Sequence, residues 1–412
     1  DQCKALIIGL QKRGAVVGSS LNTAYLLERL SQTLERLETL MAIFVSNRYL
    51  PRRILLLTGC FARAAAERHS ISRLWKQSSG LMARSVTQNA GDHGEHYITR
   101  DKKEYWAMFY SAAGGGVLIA LMALFKTYLG SIIDDKVWKG IAEGLNYGLG
   151  FMVIFMLHFT VATKQPAMTA ARFAEAVEKT PQGKTVNMKL AQLLVDVFRS
   201  QSIAVLGNVL IAMGLAALIA FGYEYKTGEP LMNADQIAYQ LHSIDPFAGT
   251  LWFAAIAGVW LFCSGIISGY FDNRSNYLNM RMRLAQHPLL KKLMSEKTRV
   301  KFANYMHENY GSLIGNLCFG MLLGITGVVG YLTHLPLDIR HVAFSSANVG
   351  YIAVSGHFTY SLLLQCIGFV LLIGLVNLIV SFSLTLWVAL RSLNAEIDSW
   401  WPIWHEVCQI VK

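Results

Sequence analysis

His158-Phe-Thr-Val-Ala-Thr-Lys-Gln-Pro-Ala-Met-Thr-Ala170 is where a long apolar run stops against a lysine and a proline. Upstream, 140–163 has the length and composition of a membrane span. Downstream, charge returns within a few residues. Proline disfavours helix at the residue before it, and a lysine at a helix end complements the dipole, so Lys164-Gln165-Pro166 reads as the end of a helix. The same junction, apolar helix into basic loop, recurs twice further along the chain.

The composition agrees with a bilayer setting. Of 412 residues, 53% are hydrophobic and only 15% charged, and the mean hydropathy is +0.37, too apolar for a soluble protein of this size. Six windows are each long enough to cross roughly 30 Å of hydrocarbon with about 20 residues. They are 107–129, 140–163, 203–223, 247–271, 313–332 and 361–390. We therefore expect an all-α, polytopic membrane protein with six transmembrane helices across 105–391. In front lies a basic helical region, 1–104, and behind it a short tail, 392–412. Asp1 to Leu10 carries no signal-peptide pattern, which suggests a chain that begins inside a longer protein.

Lys and Arg exceed Asp and Glu by 37 to 26. The basic residues crowd into 1–104, the loops 164–200 and 272–312, and the tail. Only Lys126, Lys136, Lys139, Lys226 and Arg340 fall at the opposite ends of the windows. By the positive-inside rule both termini are expected in the cytoplasm, where basic loops face anionic headgroups. Lys126, near the end of its window, is expected to snorkel to the interface.

In the N-terminal region, Leu26, Leu27, Leu30, Leu34, Leu37, Leu40, Met41 and Phe44 recur at helical spacing with charges between them. This amphipathic helix, spanning 26–44, could dock a protein partner or a second copy. A second helix is expected from Pro51 to about Val86, then a loop over 88–99. Asp101-x-x-Glu104 has the form of a capping box that launches the first span.

A repeat is visible at low resolution. Gly207-Asn208 precedes Gly222-Tyr223 at the same interval as Gly315-Asn316 precedes Gly330-Tyr331, and Gly115 and Gly130 repeat the spacing. This suggests three helical hairpins, although glycine is also common in membrane helices because it lets backbones approach.

Polar residues inside spans are costly unless paired, so they are the first candidates for function. Asn146, His158, Asn208, Asn316, Gln365 and Asn377 fall there, and interhelical hydrogen bonding is their commonest role. The sharper reading is a substrate path with His158, Lys164 and Gln165 at a cytoplasmic site for an anionic group, and Arg340 and His341 in an outer cap. The outer stretch 333–360 is too apolar for a solvated linker, which suggests a re-entrant or surface-lying segment. No cofactor is indicated and no metal site, because His242, Asp245, His334, His341 and His357 lack ligand spacing. The six cysteines form no C-x-x-C pair. Gly183-Lys184-Thr185 resembles the end of a P-loop, but its earlier glycine is replaced by Glu178.

Gly94-Glu-His-Tyr-Ile-Thr99, Ser111-Ala-Ala-Gly-Gly-Gly116, the Lys-Gln-Pro stretch and Leu337-Asp-Ile-Arg-His341 together resemble a bacterial membrane-protein family named for site-specific recombinase activity, the gonococcal recombinase-like type. The resemblance implies strand exchange on DNA. This chain lacks the arginine pair with His-x-x-Arg of a tyrosine recombinase, since no histidine here has arginine three residues on. It also lacks the alternating pattern of a serine recombinase domain. Nucleic acid is thus the weaker partner expectation, although 1–104 is basic enough to touch phosphate. Transport or handling of a membrane-associated or anionic small substrate is the leading expectation, with a non-enzymatic scaffold as the alternative.

Overall fold

The computed structural model describes residues 2–17, 21–45, part of 51–62, 99, 101–161, 184–392 and 400–411. The expected second N-terminal helix, the 88–99 loop, Lys164 and Gln165 lie wholly or mostly outside these residues. Within them the chain is helical, with no strand. Helices α1 (Gln2–Val17) and α2 (Leu21–Val45) form an N-terminal hairpin with a Lys4–Glu38 ion pair. The membrane-like part comprises α3 (Lys102–Ile132), α4 (Lys136–Met156), α5 (Lys184–Thr227), a short α6 (Ala234–Ile244) and α7 (Thr250–Tyr277). There follow α8 (Met280–Gln286), α9 (Pro288–Leu293), α10 (Glu296–Thr333), α11 (Val342–Ser355), α12 (Tyr360–Ser392) and α13 (Trp401–Val411).

Among the described residues, five helices are long and apolar enough to cross a membrane: α3, α5, α7, α10 and α12. The window expected at 140–163 becomes α4, whose 21 residues would reach about 31 Å at 1.5 Å per residue. Lys136, Lys139 and Glu143 sit in its first turns. Helix starts follow local chemistry: the Asp101 carboxylate accepts from the Glu104 amide at 2.8 Å, and Asp135 caps α4 in the same way. Lys126 points to Glu143 of α4, 3.5 Å away, and lies over the Tyr147 ring, so it is paired inside the protein rather than reaching for headgroups.

Close contacts set the directions of the helices. Asn146 of α4 donates to the Met122 carbonyl of α3 at 2.9 Å, while Lys126 meets Glu143, so α3 and α4 are antiparallel. Gly207 lies under Phe109, and Gly116 lies against Asn208 and Ala212, so α3 and α5 are parallel. In the second half, Trp260 of α7 donates to Thr326 of α10 at 2.7 Å, and the Gly311 amide donates to Asp272 at 2.9 Å, an antiparallel pair. Ala254 meets Asn377, and Gly258 meets Val380, so α7 and α12 are parallel. The halves join where α4 crosses α10. Gly140 and Gly144 face Gly324, and Gly148 faces Leu317 and Gly320, an antiparallel contact of backbone on backbone.

These directions make two three-helix units of opposite orientation. In the first, α3 and α5 run one way and α4 the other; in the second, α7 and α12 run opposite to α3, and α10 opposite to α4. The hairpin repeat suggested by Gly207-Asn208 and Gly315-Asn316 gives way to this arrangement. Gly207 is packed against α3 while Gly222 has open space, and Asn316 bonds within its own helix, to the Ser312 carbonyl at 2.8 Å. The matching positions are Gly144, Gly148 and His158, which recur at one constant interval as Gly320, Gly324 and His334.

The end of the bundle where α3 begins also holds the start of α5, the α8–α9 connector and the tail helix, and is called the basic end below. There α13 packs Ile403 against Leu190 and Ala191 of α5 and Leu386 and Ala389 of α12. The stretch expected to be re-entrant or surface-lying contains α11, too short to span, with eleven of its fourteen residues buried in the bundle.

A side chain at the α4–α10 crossing has no room to enter, since a Cβ on Gly320 would fall on the Gly148 backbone. Gly320→Ala is therefore expected to destabilise the bundle by about 1–3 kcal/mol, read as a lower melting temperature in detergent. Gly222→Ala and Gly327→Ala, where nothing stands within 4 Å, should melt like the parent. Equal melting of all three variants would contradict the packing described.

Candidate functional site

The His158–Ala170 stretch begins with a turn the apolar pattern does not show. Helix α4 stops at Met156, seven residues before the expected end, because His158 takes a left-handed conformation with φ of 59°. Phe159 to Val161 then leave the helix and lie against α3. Two glycines make the space: a Cβ on Gly114 would strike the Phe159 ring, and one on Gly115 would strike the Thr160 carbonyl.

This strap is held by backbone and by one asparagine. The Thr160 amide donates to the Ser111 carbonyl at 3.1 Å, and the Ser111 hydroxyl lies 3.0 Å from the His158 carbonyl and 2.9 Å from the Thr160 hydroxyl. From the middle of α5, fully buried Asn208 spends both amide hydrogens. One goes to the Ala112 carbonyl of α3 and the other to the Thr160 carbonyl of the strap, at 2.9 Å. Both partners can only accept, which fixes the amide orientation.

The same arrangement closes the opposite end. Helix α10 ends at His334, left-handed with φ of 55°, and residues 335–341 form a second strap. The Arg340 amide donates to the Phe253 carbonyl of α7 at 3.3 Å. Asn377, fully buried in α12, donates to the Ala254 carbonyl at 2.7 Å and to the Arg340 carbonyl at 3.0 Å. Bond for bond, Ser111, Ala112, Thr160 and Asn208 correspond to Phe253, Ala254, Arg340 and Asn377. The packing beneath also matches. A Cβ on Gly116 would meet the Asn208 carbonyl at 2.9 Å and the Ile211 side chain; on Gly258 it would meet the Asn377 carbonyl at 3.1 Å and the Val380 side chain.

The second clasp carries additions. The Asn377 side-chain oxygen accepts from the Val342 amide at 3.1 Å, which fastens the first turn of α11. The Arg340 guanidinium bonds the Ser243 carbonyl at 2.8 Å and the Asp338 carboxylate at 2.6 Å, and lies over the Phe253 ring. His341, between the two clasped residues, is buried among Phe151, Phe319 and Phe344, with ring centroids 5.8 to 6.3 Å away. Helix α11 continues along α5, where Gly350 lies against the Met213 carbonyl. It reaches α3 through the Tyr351 hydroxyl, which donates to the Ala120 carbonyl at 2.9 Å.

The sequence-derived candidates thus fall into two groups at opposite ends. His158 and Asn208 meet at the first, Asn377, Arg340 and His341 at the second, and Asn316 joins neither. The His158 ring is exposed, and its backbone rather than its imidazole enters the clasp. Ser111, Thr160, Phe253 and Ala254 escape sequence reasoning because Phe253 and Ala254 contribute only backbone, and Ser111 and Thr160 contribute the matching bonds through backbone.

Among known proteins, the model of the family described as site-specific recombinase matches residues 1–412. No curated protein and no solved structure matches.

Each asparagine satisfies two carbonyls that otherwise lack these second donors in a water-poor interior. Asn208→Leu and Asn377→Leu should each cost about 1–3 kcal/mol, seen as reduced melting temperature. Asn208→Asp should be at least as damaging at neutral pH, since a carboxylate would face two carbonyl oxygens, and milder at acid pH, where a protonated carboxyl can donate one bond. Unchanged melting of both leucine variants would show that the clasps contribute nothing.

Proposed function

The chain belongs to the site-specific recombinase family, and from that premise and the geometry above we propose that it is a membrane carrier. It moves or presents a membrane-associated or anionic small substrate by relative movement of its two inverted units. The observation that carries this reading is the pair of matched asparagine clasps, one at each end of two oppositely inserted three-helix units. Inverted-topology repeats are a recurring plan of secondary transporters, in which one unit rocks against the other around a site where they meet. Irregular backbone such as the two straps is tolerated at membrane depth only when it is buried in protein or lines a cavity. A clasp that fastens a strap to both neighbouring helices is a natural gate. The candidate ligand groups are His158 at the basic end, with Lys164 and Gln165 that follow it in the sequence, and Arg340 and His341 at the other end; the excess of basic residues favours an anionic substrate.

The activity in the family's name finds no support in these residues, which lack the catalytic sets of both recombinase classes. A second reading, a non-enzymatic scaffold, is favoured by α2 alone. Its Leu26, Leu30, Leu37, Leu40 and Met41 are exposed on one face of the helix, suited to a partner or a second copy.

Accessibility from the two sides separates these readings. In a background without native cysteines, single reporters at Phe159 and Ile339 would be labelled by a membrane-impermeant maleimide in sealed vesicles. Asn208→Ala should raise labelling at Phe159 and lower it at Ile339 by roughly fivefold or more, and Asn377→Ala should do the reverse. Purely local increases, with no reciprocal loss at the far end, would favour the scaffold. Lys164→Ala with Gln165→Ala should weaken binding of an anionic substrate in a protein that still melts normally.

A further inference from the structure

A charged and apolar surface at the basic end is used by neither clasp. The connector between α7 and α10 is not a simple loop. Asn279, left-handed with φ of 49°, ends α7 and turns the chain into α8; His287 and Pro288 start α9; and Ser295 caps α10. The connector is also pinned to the bundle. Arg299 of α10 donates to the Ala285 carbonyl at 2.8 Å, and Ser275 at the end of α7 contacts His307 of α10 at 3.1 Å.

Its outward surface combines two features that water alone does not reward. Arg281, Arg283, Lys291, Lys292 and Lys297 are exposed, with Glu296 the one acidic residue over 273–301. Between them stand exposed large apolar side chains: Met282 at 58%, Leu289 at 61% and Leu293 at 77%. Helices of seven and six residues cannot cross a bilayer. They are suited to lie along its surface, with apolar side chains entering the acyl boundary and basic ones at headgroup level.

We infer that α8 and α9 form a docking surface for the anionic phospholipid headgroups of the leaflet at the basic end. Two observations select this occupant. The connector joins two helices of the membrane-embedded bundle at the boundary, so a lipid surface is the neighbour its position supplies. Its charge is complementary to anionic lipid, and an uncharged leaflet would leave the lysines and arginines without counterparts. The inference is independent of the carrier reading.

Amide hydrogen exchange of the full chain in nanodiscs tests it. With phosphatidylglycerol present, amides over 280–293 should exchange about tenfold more slowly than in phosphatidylcholine alone, an advantage that falls at high salt. The combined variant Arg281→Gln, Arg283→Gln, Lys291→Gln, Lys292→Gln should lose the lipid dependence while α7 and α10 keep parental protection, which shows that the variant is folded. Leu289→Ser with Leu293→Ser should reduce protection in both lipids. Equal exchange in the two lipids, or a lipid effect that survives the fourfold variant, overturns the inference. Protection by inorganic phosphate in phosphatidylcholine discs would assign the surface to a free anion instead. Protection that grows with protein concentration would assign it to a second copy. Either result also overturns the inference.

Discussion

An amide side chain buried in an apolar bundle has two hydrogens to place, and here both go to backbone carbonyls on different segments. Asn208 joins α3, α5 and the strap after α4; Asn377 joins α7, α12 and the strap after α10. Much of the neighbouring structure serves these bonds. The straps must leave the helix so that a carbonyl faces the asparagine, and a left-handed histidine must first turn each chain off its helix axis. The helix opposite must be bare enough for the strap to approach, which the glycines after Ala112 accomplish. A hydrophobic residue in place of either asparagine would keep the shape while leaving the strap carbonyl without its donor, and that asymmetry makes such groups costly to disturb.

The two halves are alike at the clasp and differ around it. At the basic end the strap is tied by Ser111, a small side chain able to bond two strap atoms. At the other, Phe253 stands in that position and supplies a ring face to Arg340, whose guanidinium then gathers the Ser243 carbonyl and Asp338. The same backbone geometry is thus supported by hydroxyl bonding in one unit and by a charged, ring-stacked side chain in the other. The presence of α11 beside the second clasp adds a further difference, since its first amide uses the remaining atom of Asn377.

The all-α, multi-span architecture was legible from hydropathy, and the start of α3 from Asp101, because apolar runs and capping residues act locally. The end of α4 was not: His158 to Thr163 is as apolar as the helix before it, and a positive φ leaves no trace in composition. The repeat was legible in the wrong register. Asn208 and Asn316 share a preceding glycine, yet Asn208 and Asn377 share a role. The role needs a primary amide at one position and only main-chain atoms at the others, so Ser111 could become Phe253 and Thr160 could become Arg340 without loss of the bonds. Arg340, His341, His158 and Asn208 stand out in the sequence as polar groups within or beside apolar runs, but their grouping into two ends depends on helix directions that spacing does not encode. Lys164 and Gln165 lie outside the described residues.

The crossing of α4 and α10 also limits how the sequence can vary. Elsewhere a close approach needs one small residue, as where Gly116 meets the Asn208 carbonyl and Gly350 the Met213 carbonyl. Where Gly144 and Gly148 face Gly320 and Gly324, both partners are bare, with Leu317 and Met321 packed over the glycines of α4. A larger residue on one helix cannot be accommodated by trimming the other, because at these positions nothing is left to trim. The seam between the halves thus has no route of compensation: one added carbon on Gly320 or Gly324 falls on the backbone of the facing glycine and parts the two helices.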